Sequence, residues 1–191
     1  MTDGLTWIGS PIEVFRVVHS VHVDEARHDF PTYLRQTLSG SQRQGGRFNP
    51  PGEFGALYTS TDEETAWTEV AARFEREGID GLPPDMGVLR LVVASGRYAD
   101  VTTEEGCAAW DIAHDALTEP DPDARDIEAC WQLARAVRTV ADAILAPSAR
   151  GEAANMPLFP DREESELGLE LQAVSLRGVP DRFAQHPNES W

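Results

Sequence analysis

Between Ser39 and Gly55 the chain carries five glycines, two prolines, Ser39, Ser41 and Asn49. Such a composition interrupts regular structure and demands backbone angles that other residues avoid, so it predicts an ordered loop. At its centre, Gly45-Gly46-Arg47-Phe48-Asn49-Pro50-Pro51 sets an arginine against two glycines. The backbone there can approach a ligand closely while the guanidinium forks toward phosphate or ribose oxygens. Ala56-Leu57-Tyr58-Thr59 reads as a short strand, and Ser60 or Thr61 with Glu63 or Glu64 is a capping-box signature for a helix running to about Glu77. Ala66, Val70 and Phe74 recur at four-residue spacing with Trp67 and Ala71 on the same arc, which leaves Glu69 at the flank of the buried stripe.

The remaining pattern alternates between the two secondary-structure periods. Ile12 to Val18 is rich in branched and aromatic residues and reads as a strand, interrupted by Glu13 and Arg16. Asp24 to Leu38 is compatible with a helix that Pro31 breaks and restarts from its N1 position. Val88 to Ala94 is almost entirely apolar and predicts a buried strand, whereas Gly96 to Asp126 predicts loops and short helices. Ile127, Cys130, Ala134, Val137 and Ala141 form the strongest helical stripe. Ala143 to Ala146 reads as a buried strand ended by Pro147, a short strand is expected within Asn155 to Phe159, and the Leu167, Leu169, Leu171, Ala173 alternation predicts a half-buried strand. A polar tail follows Pro180. The expected architecture is α+β, a single compact domain across residues 1–191 with a mixed β-sheet core and flanking helices.

At 191 residues, one core is favoured over two. Thirty-three acidic residues against sixteen basic ones give a formal charge of −17, a field that repels nucleic-acid backbones and anionic membrane surfaces. The same field repels the phosphates of a dinucleotide, so such a ligand requires a local cluster of arginines, for which Arg16 and Arg47 are candidates. No apolar run approaches the roughly 18 residues that a membrane span requires. No basic cluster precedes an apolar region at the N-terminus, which predicts a cytoplasmic protein. Cys107 and Cys130 suit packing rather than a zinc site or disulfide framework.

Each candidate functional residue also has an ordinary reading. Arg47 can be a solvated loop arginine and Arg16 an edge-strand arginine, although a charge in an apolar strand normally needs a partner. Tyr58 can be a core tyrosine, or can stack on a nicotinamide or adenine with its hydroxyl outward. Glu69 can be a solvated helix residue, or a carboxylate facing a cleft. Ser148 has no Gly-x-Ser-x-Gly elbow and no histidine placed as its base, so a nucleophilic serine is disfavoured. The spacing of His19, His22 and His28 lacks the geometry of a helical zinc pair, and Asp121, Asp123 and Asp126 lack the glycine and terminal glutamate of a calcium loop, so no metal is expected.

Taken together, Val14-Phe15-Arg16-Val17-Val18, Gly45-Gly46-Arg47-Phe48-Asn49-Pro50, Leu57-Tyr58-Thr59-Ser60, Glu69, and Pro147-Ser148 with Asn155 resemble the RES-domain toxins of bacterial toxin-antitoxin pairs, over roughly residues 12 to 176. Phe48 stands where that family often has tryptophan. The resemblance implies a fold similar to ADP-ribosyltransferases and cleavage of NAD at the nicotinamide-ribose bond, by a glycohydrolase or phosphorylase reaction. It also implies a partner antitoxin of the Xre helix-turn-helix type that blocks the active site. On this reading Glu69 stabilises the oxocarbenium-like sugar, Arg16 and Arg47 bind the pyrophosphate and ribose, Tyr58 stacks near the nicotinamide, and Ser148 and Asn155 complete the pocket. Transfer of ADP-ribose to a macromolecule, and an inactive acidic interaction module, are the alternatives. The oligomeric state is left open.

Overall fold

A computed structural model describes residues 4–176 and 178–184. In chain order, β1 (Leu5–Trp7) and β2 (Ile12–His19) lead into helices α1 (Ser20–His28), α2 (Phe30–Gln44) and α3 (Glu63–Arg76). β3 (Met86–Ser95) and β4 (Arg97–Asp100) come next, then α4 (Glu104–Ala109), α5 (His114–Thr118) and α6 (Ala124–Arg138). β5 (Ala143–Pro147), β6 (Ala154–Asn155), β7 (Gly168–Ser175) and a 3-10 turn at Asp181–Phe183 complete it.

The strands form two sheets, β2-β3-β7 and β1-β4-β5-β6. All pairings are antiparallel except β4 with β5. β3 is the central strand of the first sheet and is buried on both faces apart from Arg90 and its C-terminal end, which explains its nearly continuous apolar sequence. One face of that sheet, with Val14 and Leu89, packs with Val23, Tyr33 and Leu38 of α1 and α2. The other, with Val17 and Val88, receives Ala66 and Trp67 of α3. A third apolar cluster joins α6, through Cys130, Leu133 and Val137, to Ile144 of β5 and to Phe54 and Phe159. Cys107 and Cys130 are both buried in it.

This is the mixed α+β architecture expected from the sequence, with several local differences. The break expected within Asp24 to Leu38 is present and gives two helices, α1 starting earlier, at Ser20, and α2 starting at Phe30. Asp29 ends α1 and caps α2, accepting from the Thr32 amide at 3.1 Å, and Pro31 lies in the first turn, where its missing N–H costs nothing. α2 then runs to Gln44, so Ser39 to Gln44 is helical rather than loop. Burial of Tyr33 and Leu38 outweighs the poor helix propensity of Ser39, Gly40 and Ser41. The cap of α3 is Asp62, which accepts from the Thr65 amide at 2.8 Å, not Ser60 or Thr61. α6 begins at Ala124, where Asp123 and Asp126 form a capping box, and ends at Arg138 rather than Ala141.

Ala56 to Thr59 is not a ladder strand. It is an extended run held by isolated bridges: Leu57 to Leu158, and Ser60 to both Phe15 and Asn155. Asn155 to Phe159 likewise contributes only the end of β6 and the Leu158 bridges. The run Leu57–Ser60 therefore threads between β2 and the segment after β5, joining the two sheets. Strand β4, within the region expected to be loops and short helices, pairs in parallel with β5. Of the tail after Pro180, the turn at 181–183 anchors back, with the Leu82 amide donating to the Phe183 carbonyl at 2.6 Å. The rest of the tail lies outside the described residues.

Candidate active site

An open cleft of about 1090 Å³ lies at this junction, walled by α2, α3, the Gly45–Phe48 turn and the Pro147–Asn155 segment. It lies slightly above the roughly 300–1,000 Å³ of typical small-molecule sites. Arg16, Arg47, Arg73, Arg76 and Arg150 line it against Glu25, Glu69 and Glu77. The local surplus is positive, in a chain whose acids outnumber its bases about two to one. A cleft that concentrates cations in this way favours an anionic ligand despite the net charge.

Glu69 projects from the middle of α3 into the cleft. Its Oε1 accepts from the Ser148 hydroxyl at 2.6 Å and from Asn155 Nδ2 at 2.6 Å. Both donors are themselves oriented. Ser148 Oγ accepts from the amides of Arg150 at 3.1 Å and Gly151 at 2.7 Å, which directs its own proton toward Glu69. Asn155 Oδ1 accepts from the Ser60 hydroxyl at 2.8 Å, which turns the amide nitrogen toward the carboxylate. Oε2 makes no protein hydrogen bond among the described residues. One carboxylate oxygen is thus fixed and the other is free.

Arg16 sits on β2 facing α2 and the extended run. Its Nε donates to the Tyr33 hydroxyl at 3.2 Å and its Nη1 to the Tyr58 carbonyl at 2.8 Å. Arg47 donates from Nη1 to the Leu117 carbonyl at 2.7 Å and from Nη2 to the Glu119 carbonyl. It thereby caps the C-terminal end of α5, where carbonyls lack intrahelical partners. Neither arginine has a carboxylate partner among the described residues, so both are oriented by neutral acceptors while their charge is left uncompensated.

Tyr58 lines the cleft, but its hydroxyl does not point outward as expected. It donates to Asn49 Oδ1 at 2.7 Å and accepts from the Phe48 amide at 2.9 Å. Burial pushes the phenol well above its ordinary value, so it stays protonated. The hydroxyl is part of the scaffold of the glycine turn. Asn49, fully buried, donates from Nδ2 to the carbonyls of Ser41 at 2.9 Å and Phe54 at 3.1 Å. Trp131 of α6 donates to the Gly46 carbonyl at 2.8 Å. A Cβ on Gly46 would stand 2.5 Å from the Tyr58 oxygen, so this close approach requires glycine.

Asn49→Ala strands the Phe54 carbonyl and the proton of the Tyr58 hydroxyl, each costing about 1–3 kcal/mol when left buried and unpaired, and leaves the Ser41 carbonyl with only the Gly45 amide. The expected loss is about 3 kcal/mol, a fall in Tm of roughly 6–12 °C for a chain of this size by calorimetry. An unchanged Tm would show that the turn is held in some other way.

The structure brings together all the residues singled out from sequence: Arg16, Arg47, Tyr58, Glu69, Ser148 and Asn155. Sequence reasoning missed Ser60, Tyr33 and Asn49 as orienting partners, and Arg73, Arg76 and Arg150 as cleft cations. Arg150 had a signal, standing two residues after Ser148. Arg73 and Arg76 had one too, four and seven residues after Glu69 on the same helix, whereas Tyr33 and Ser60 act through contacts 17 and 95 residues apart in the chain. Of the carboxylates weighed as a calcium loop, Asp123 and Asp126 cap α6, and Asp121 pairs with Arg150 at 3.0 Å.

The sequence pattern of the RES domain matches residues 14–177, most of the chain. Among solved structures, the chain is similar to one in the crystal structure of the M. tuberculosis MbcT–MbcA toxin-antitoxin complex, with a TM-score of 0.65 and 17% identity. The match covers 86% of this chain and 83% of that one. At that identity the likeness is one of fold. No curated protein matches the sequence.

Proposed function

The chain belongs to the RES-domain family, and on that premise we propose that it is the toxin of a toxin-antitoxin pair and cleaves NAD at the nicotinamide-ribose bond. One observation carries the reading. Among the described residues, a carboxylate with one oxygen fixed by two neutral donors and the other free shares a cleft with two arginines that no carboxylate neutralises.

These are the groups that this chemistry needs. The bond between ribose C1′ and the pyridinium nitrogen breaks with its electron pair passing to nicotinamide, which leaves neutral and requires no general acid. Positive charge builds on the sugar as the bond lengthens, and Glu69 Oε2 lies free to stabilise it through space or through a ribose hydroxyl. The fixed Oε1 reduces the reorganisation that a freely rotating carboxylate would undergo. Arg16 and Arg47 take the diphosphate, and the ring of Tyr58 forms part of the wall for the base. A water or phosphate oxygen then bonds to C1′, giving hydrolysis or phosphorolysis. When water is the acceptor, its proton passes to solvent.

The partner we propose is an Xre-type helix-turn-helix antitoxin seated over the cleft. The neighbouring fold in a toxin-antitoxin complex supports an antitoxin partner. The decisive experiment incubates purified protein with NAD, with and without phosphate, and follows nicotinamide and the ribosyl product by chromatography. Nicotinamide release is expected in at least one condition, and silence in both would end the proposal. Label from NAD on a protein band, instead of in small products, would redirect the same site to ADP-ribosyl transfer.

A further inference from the structure

Arg150 has no part in the reaction described above. Its side chain is only 23% exposed and lines the cleft. Its backbone amide is tied to Ser148 Oγ, so the residue is anchored to the network that holds Glu69. Its Nη2 donates to the Pro120 carbonyl at 3.1 Å and to Asp121 Oδ1 at 3.0 Å. Arg47 reaches the same stretch of chain through the Leu117 and Glu119 carbonyls. Residues Leu117–Asp121 therefore present three carbonyl oxygens and one carboxylate to two cleft arginines. That is the kind of acceptor set a diphosphate would offer. Pro120 and Pro122, on either side of Asp121, line the cleft.

Only one of those four acceptors is charged. The Asp121 side chain is 72% exposed, and its carboxylate has no other hydrogen-bond partner among the described residues. An exposed carboxylate held by one guanidinium is a weak, salt-screened contact. A phosphate oxygen pair carries more charge and can engage the guanidinium in a bidentate fork. The contact is thus suited to exchange.

We propose that Arg150 is a third anion-binding arginine of the cleft, with Asp121 as its built-in competitor, an internal carboxylate that a ligand phosphate displaces. This rests on the reading that the cleft takes a phosphate-bearing nucleotide, but not on the bond that is cleaved. Asp121 then lowers affinity for the ligand while keeping Arg150 aimed when the cleft is empty. Removing its charge strengthens binding, whereas a residue that merely supported the fold would weaken it when changed.

The test is calorimetric titration of the full chain with ADP-ribose, and separately with inorganic pyrophosphate, neither of which has a nicotinamide bond to cleave. Asp121→Asn is expected to tighten ADP-ribose binding about two- to fivefold at low salt, with the gain shrinking as ionic strength rises. Arg150→Ala is expected to weaken binding about tenfold or more, and in that background Asp121→Asn should have no effect. If Arg150→Ala folds poorly, Arg150→Lys keeps one positive charge, loses the fork and should show an intermediate loss. Unchanged or weaker binding by Asp121→Asn overturns the proposal, as does an equal gain with Arg150 removed, and so does failure of every variant to bind either probe. Tightened binding in a protein that releases no nicotinamide would discard the reaction and keep this competitor. Nicotinamide release with an inert Asp121→Asn would do the reverse.

Discussion

Glu69→Gln is expected to lower nicotinamide release from NAD by roughly a thousandfold while leaving Tm and ADP-ribose affinity close to wild type. The surroundings of the residue dictate which way the new amide turns. Ser148 and Asn155 Nδ2 both donate to Oε1, so the glutamine oxygen must occupy that position. The NH2 group then falls where Oε2 stands free. An anion that steadies a cationic sugar becomes a dipole presenting its positive end. Mutations that remove one well-placed electrostatic group in an active site commonly cost about 3–4 kcal/mol of transition-state stabilisation, which corresponds to this loss. Side-chain volume and the two hydrogen bonds survive, so the effect should fall on kcat. Retention of more than about a tenth of wild-type kcat would remove Glu69 from the chemistry. A matching fall in Tm would make it a structural residue.

The parts of this site that were legible in the sequence were those whose signal is local. The apolar spacing of Ala66, Val70 and Phe74 placed Glu69 on the edge of a buried stripe, and two glycines before Arg47 marked a backbone that had to approach something closely. At Gly46 the close approach is to the protein's own Tyr58 hydroxyl, for which the missing side chain makes room, rather than to the ligand expected from the sequence. Illegible were the pairings that only tertiary structure creates. Nothing in Leu57–Ser60 shows that its partners are Phe15, Asn155 and Leu158, so a strand-like composition was read as a ladder strand. Helix α2 continued through Ser39, Gly40 and Ser41 because packing of Tyr33 and Leu38 overrides local propensity. For the same reason the outward hydroxyl expected for Tyr58 gave way to the buried Asn49, four residues past Gly45 and able to satisfy the phenol, Ser41 and Phe54 together.

Arg16→Met is expected to raise KM for NAD by roughly 10- to 100-fold with kcat changed by no more than a few fold. A charge-assisted contact to an anion contributes about 1.5–3 kcal/mol, and Arg16 lines the cleft with no carboxylate among the described residues drawing off its charge. Methionine preserves most of the side chain's apolar stem. What is lost are the bonds to the Tyr33 hydroxyl and the Tyr58 carbonyl, offset by no longer holding an uncompensated cation in a half-buried strand. Tm should therefore move little. Arg47 does not separate the two effects so well. Its guanidinium closes the C-terminal end of α5 as well as lining the cleft, so Arg47→Ala should lower Tm and affinity together. Ionic strength supplies an internal check, because wild-type KM should climb with salt and the Arg16→Met value should climb less steeply. A KM unmoved by Arg16→Met would place the diphosphate elsewhere in the cleft and leave Arg16 the plainer task of tying β2 to α2 and to the run that carries Tyr58.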